Sequence, residues 1–138
     1  MEALETKIAD RLGKPRNFVP YVQLHEFESL LLSDAAIVAE YFNAPALQGA
    51  VGKAVTEVGN PERVNDSPLT APSKRLDRWT ETHAPRMRYS KDTKTRHGPR
   101  LAARLTLPVI RSACPRFAAW IGRLETLGGA RESELAIV

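Results

Sequence analysis

The sequence predicts a mostly α-helical domain with one clear β-strand, at residues 18–25, and a helical bundle at the carboxy terminus. Apolar residues recur at helical spacing along most of the chain. Only Phe18-Val-Pro-Tyr-Val-Gln-Leu24 concentrates β-branched and aromatic residues in a run too short for a typical helix. Three prolines late in the chain, Pro99, Pro108 and Pro115, stand where helices can begin. With 138 residues and 43% hydrophobic content, the chain has the material for one core. It reads as a single domain: an N-terminal helix at 1–13, the strand at 18–25, a helical part at 26–128 and a flexible tail at 129–138.

Ala3, Leu4, Ile8 and Leu12 follow helical spacing with charged residues on the other faces, and Gly13 and Pro15 end that helix. In the strand, Pro20 has no N–H to donate and belongs near the start or on an edge. Phe27, Leu30 and Leu31 begin a helical pattern that breaks at Ser33, because Ser-Asp-Ala-Ala is a good cap sequence for a second helix reaching Phe42. A further helix at 46–58 ends at Gly59-Asn60-Pro61, and a turn follows at 64–68. Thr70 is placed to cap the next helix, with Pro72 in its first turn. Residues 80–95 lack periodicity and are expected to form a surface loop. Helices at 99–105, 108–114 and 115–127 then supply the bundle, with Val109, Ile110, Phe117, Trp120, Ile121 and Leu124 as its apolar face.

The formal charge of +4 hides an asymmetry. Residues 1–70 hold six Lys and Arg against ten Asp and Glu, a balance of −4, whereas 71–138 hold fourteen against six, a balance of +8. A basic half attracts phosphates, so nucleic acid is a candidate partner; it also serves plain solubility. One cysteine, Cys114, excludes an internal disulfide and a multi-cysteine zinc site, and its apolar neighbours mark it as a small buried hydrophobe. No apolar run approaches the ~20 residues that span a bilayer, and the acidic start does not suit a signal peptide, so a cytoplasmic protein with no membrane contact is expected.

The strongest chemical cluster is His25, Glu26 and Glu28, where the strand runs into the following helix. In extended geometry Glu26 and Glu28 project from one side and suit a hard cation such as Mg²⁺. In a helix they point apart, and the acids then serve a helix N-terminus while His25 makes a local hydrogen bond. His97-Gly98-Pro99, after Lys91, Lys94 and Arg96, offers either a phosphate seat at a helix start or a simple glycine turn. Lys74, Arg75 and Arg78 read as a solvated helix face that could touch nucleic acid, and Trp79 and Trp120 as core residues.

Four ordered stretches carry a family resemblance. They are Val19-Pro-Tyr-Val-Gln-Leu-His-Glu-Phe-Glu-Ser-Leu-Leu-Leu-Ser-Asp34, Val64-Asn-Asp-Ser-Pro-Leu-Thr-Ala-Pro-Ser-Lys-Arg75, His97-Gly-Pro99 and Ile110-Arg-Ser-Ala-Cys-Pro-Arg-Phe-Ala-Ala-Trp120. Together they resemble the bacterial family catalogued as domain of unknown function 4276, over about residues 15 to 128. That family looks like a compact relative of the Toprim superfamily, an α/β fold that cuts or rejoins nucleic acids with carboxylate-bound Mg²⁺. Several such relatives are encoded beside ATPases in anti-phage or mobile-element systems.

The resemblance implies the carboxy-terminal part of a Toprim-like α/β domain, with its first catalytic strands missing or supplied by another chain. It implies an incomplete metal-dependent phosphodiesterase of nuclease type, inactive by itself. Glu26 and Glu28 would be metal ligands, His25 would orient a carboxylate or water, and Lys94 and His97, with Lys74 and Arg75, would contact nucleic acid. The competing expectation is a non-catalytic helical module that dimerises or partners an ATPase, with apolar surface around Val19, Tyr21 and the first helix.

Overall fold

A computed structural model describes residues 1–65 and 67–136 of the chain, and every regular element among them is helical. In order these are α1 (Glu2–Arg11), a 3₁₀ turn at Phe27–Leu32, α2 (Ala35–Tyr41), α3 (Ala46–Val58), a 3₁₀ turn at Pro61–Arg63, α4 (Pro72–His83), a 3₁₀ turn at Pro85–Met87, α5 (Lys94–Leu105), α6 (Leu107–Ala113) and α7 (Pro115–Ala136). The predicted strand is not formed, which overturns the mixed fold and the Toprim-like α/β architecture.

Residues 18–23 instead form an irregular strap whose backbone is paired by side chains. A strand needs a neighbour to take its N–H and C=O groups, and no described segment offers one. Glu5 of α1 accepts from the Val22 N–H at 2.9 Å, and Arg116 of α7 donates to the Val22 carbonyl at 3.4 Å. Glu5 and Arg116 are themselves paired at 2.9 Å, so one ion pair takes both polar groups of Val22. Trp120 donates its indole N–H to the Val19 carbonyl at 3.1 Å. The Tyr21 ring stacks on Trp120 with centroids 4.9 Å apart and meets Phe117 edge-on. The β-branched and aromatic residues that suggest a strand are thus used to lie flat against a helix.

The Phe27–Leu32 turn sits at the centre, against α2, α4, α5 and the Pro61–Arg63 turn. Leu30, Leu31 and Leu32 are buried there with Val38, Phe42, Leu47, Val51, Leu76, Leu101 and Leu105. Several expected boundaries are observed. Asp34 caps α2, accepting from the Ala36 and Ile37 N–H groups at 2.9 and 3.0 Å. Helix α3 ends on Gly59, whose φ of 95° suits a residue without a Cβ. Cys114 is buried, as expected, and burial pushes its thiol up to about 11.

Residues 80–95 are not a plain surface loop. Helix α4 continues to His83 and α5 already begins at Lys94, leaving Pro99 inside α5 rather than at its start. The linking chain is held by polar side chains that apolar periodicity cannot register. Thr80 Oγ1 accepts from the Tyr89 N–H at 2.8 Å, Thr93 Oγ1 donates to the Arg88 carbonyl at 2.6 Å, and Tyr89 is buried. Arg88 also pairs with Asp77 and Glu81, each at 2.6 Å. Helix α7 runs on to Ala136, through most of the stretch expected as tail; residues 137 and 138 lie outside the described residues.

Glu62, 2% exposed, joins these parts: its carboxylate accepts from the Arg116 and Phe117 N–H groups at 2.9 and 3.0 Å, capping α7 from a distant turn. Glu62→Ala is expected to lower stability by about 1–3 kcal/mol, since it removes the acceptor of two partly buried donors. In urea denaturation the midpoint should fall with little change in slope, and an unchanged midpoint would refute this role.

Candidate functional site

The segment at residues 25–29 turns sharply from the strap into the central 3₁₀ turn, so its side chains leave in different directions. Glu26 is still extended, with φ −80° and ψ 155°, and lies just before the turn. Its Oε2 accepts from the Ser73 N–H at 2.9 Å. This caps α4, whose own N-cap residue, Ala71, has no side-chain oxygen. Thr70, predicted to be that cap, sits one residue too early and instead accepts from the Arg75 guanidinium through its carbonyl at 2.6 Å.

Glu28 points inward. It is 8% exposed and accepts from the Tyr89 hydroxyl at 3.0 Å. Burial, and then the Glu28 carboxylate, push the Tyr89 phenol far above its ordinary value, so it remains a proton donor. His25 Nδ1 lies 3.2 Å from the Asn65 side-chain amide. Ser29, fully buried, accepts from the Gln23 amide at 2.8 Å, which ties strap to turn. Phe27 alone faces outward.

The other predicted residues are dispersed. His97 is 4% exposed within α5, so its ring is part of the interior. Its Nδ1 meets the Tyr41 hydroxyl at 2.8 Å, while Nε2 is buried without a hydrogen-bond partner among the described residues. Gly98 packs beside Tyr89 and Phe27: a Cβ there would lie 3.5 Å from the Tyr89 hydroxyl, an ordinary contact. The sequence-predicted His-Gly-Pro seat at a helix start is therefore a point of helix packing, one turn inside α5. Lys74 and Lys94 are exposed, and Arg75 is half-buried.

Glu28 and His97 are thus brought to one buried cluster through Tyr89, whose ring centroid lies 6.5 Å from that of His97. Glu26 faces α4, and no ion pair joins Lys74 or Lys94 to it or to Glu28 among the described residues. Glu62, Tyr89, Tyr41 and Arg116 are the residues that sequence reasoning missed. Glu62 and Tyr89 lie in aperiodic segments, and nothing local in the sequence marks them as buried.

Glu26 and Glu28 each keep one carboxylate oxygen without a hydrogen bond among the described residues. No group of three or more His, Cys, Asp or Glu among those residues is arranged to hold a metal ion.

Fold and site define a small helical domain, built around an acidic turn whose carboxylates hold other segments in place. It belongs to the family described as Domain of unknown function (DUF4276), whose model matches residues 1–125. No curated protein and no solved structure matches the chain. No helix among the described residues is long and apolar enough to cross a membrane.

Burial, with Arg96 and Arg100 nearby, holds the His97 imidazole below its ordinary value. The unfolded chain therefore takes up this proton first as pH falls below about 6.5. Stability contributed by neutral His97 is complete above that pH and is lost as the pH falls. The fall in Tm between pH 7 and pH 5 should be visibly smaller in His97→Gln than in the native chain; parallel curves would count against it.

Proposed function

We propose that this chain is a helical interaction module that docks through α1 and the adjoining strap onto a protein partner. The partner would be a second copy of the chain or an ATPase subunit. One observation carries the reading: α1 buries none of its residues. Leu4, Ile8 and Leu12 follow one another at helical spacing, and Leu4 and Leu12 are 46% and 57% exposed. Phe18, also exposed, lines a cleft of about 540 Å³ between α1, the strap and α7, together with Tyr21, Trp120 and Arg123. Apolar side chains gathered on one peripheral element are a common mark of an assembly surface.

Light scattering on the full chain tests this. The expected result is a mass twice that of the chain, or a monomer shifted to a complex by the ATPase subunit. Leu4→Glu, Leu12→Glu should abolish that association while leaving the helical circular-dichroism signal intact. A monomer that no such subunit shifts would remove the proposal's main support.

A second reading, a metal-dependent phosphodiesterase component of phage defence, draws support from the unbonded oxygens of Glu26 and Glu28. Mg²⁺ would there need further ligands from another chain, with His25 orienting a carboxylate. Plasmid DNA incubated with Mg²⁺, the chain and its partner should be cut by the native protein and not by Glu26→Gln, Glu28→Gln. Equal cutting by both, or none by either, sinks this reading.

A further inference from the structure

Helix α5 carries three arginines at one-turn intervals, Arg96, Arg100 and Arg104, all exposed. Four residues at 1.5 Å rise place successive guanidinium groups about 6 Å apart along the helix axis. The four-residue spacing sets all three on one stripe of α5, and Arg104 at its end approaches Glu40 of the neighbouring α2 at 3.8 Å. His97, Gly98, Leu101 and Leu105 form the buried side of α5, with His97 meeting Tyr41 of α2, and the exposed arginine row borders that side.

The row is poorly compensated. Like charges at this spacing destabilise a helix, and the first turn of α5 contains no acid to offset Lys94 and Arg96 at the positive end of the helix dipole. Among the described residues, the acid within ion-pair distance of the row is Glu40, 3.8 Å from Arg104, in a pair so exposed that it contributes little. A row kept against these costs matches a regularly repeating anion.

We propose that Arg96, Arg100 and Arg104 form a track for the phosphodiester backbone of a nucleic acid strand. Guanidinium groups hold their charge at every physiological pH and present paired donors that fit phosphate oxygens. The step between them is comparable with that between neighbouring phosphates of an extended strand. Only Pro99 and Ala103 are exposed between the arginines, so the ridge has no large apolar side chain to insert into a lipid surface. The track is independent of the docking role given to α1, and each can fail alone.

Fluorescence anisotropy with a labelled oligothymidine of about 20 nucleotides, and with a duplex of the same length, tests the track across a salt series. Arg96→Ala, Arg100→Ala, Arg104→Ala should weaken binding at low salt at least about tenfold. It should also reduce the salt slope on the single strand by about 2, the counterion release expected for three phosphate contacts. A greater loss on the single strand assigns the track to unpaired strands, and an equal or greater loss on the duplex assigns it to paired ones. Should the triple variant unfold, Arg100→Glu, at the middle of the row, gives the same readout with one substitution. Unchanged affinity and slope overturn the proposal. So does an equal loss from Lys74→Ala, Arg78→Ala on α4, or displacement of the strand by polyglutamate of matched charge.

Discussion

Glu62 does in one side chain what the rest of the structure depends on: it supplies a buried anion to backbone donors that have no other partner. The first turn of α7 has N–H groups that its own helix cannot pair, and they point toward the Pro61–Arg63 turn. Once that carboxylate is in place, Arg116 and Phe117 are fixed, and with them the side chains that receive the strap. The same device recurs at Glu26 with Ser73, at Asp34 with Ala36 and Ile37, and at Glu5 with Val22. Carboxylate on backbone N–H is the recurrent joint of this molecule.

That joint also shapes its electrostatics. Glu5, Glu26, Glu28 and Glu62 belong to the acidic half of the sequence, and each is turned toward other parts of the chain. Their charge is spent on N–H groups, a phenol and an arginine, and contributes less to the surface than the formal balance suggests. The cations of the second half are less constrained, because long basic side chains reach solvent readily. The surface is accordingly more basic than a net charge of +4 conveys, and α5 presents its cations in register.

How much could be read in advance depended on the kind of interaction involved. The cap at Asp34, the helix at Ala46–Val58, the start of α7 at Pro115 and the burial of Cys114 are all legible, because each rests on residues adjacent in sequence. The family was legible too, since its motifs are local strings. The strap was misread because Val19, Tyr21 and Val22 have the composition of a strand, whereas strand formation requires a partner that composition does not reveal. The start of α5 is not legible because Thr93 and Thr80, polar residues contacting backbone five and nine residues away, organise the preceding segment, and apolar periodicity does not register them.

The acidic turn shows the division most clearly. The sequence by itself determined that His25, Glu26 and Glu28 stand together at a break in secondary structure, and that acids there suit a helix N-terminus. Only the tertiary structure decided that the helix served by Glu26 is α4, more than forty residues away, and that Glu28 meets Tyr89 in the interior. The reason is physical: capping by a neighbouring residue is a local preference, whereas the choice of a remote carboxylate is settled by which backbone donors the packed core leaves unpaired.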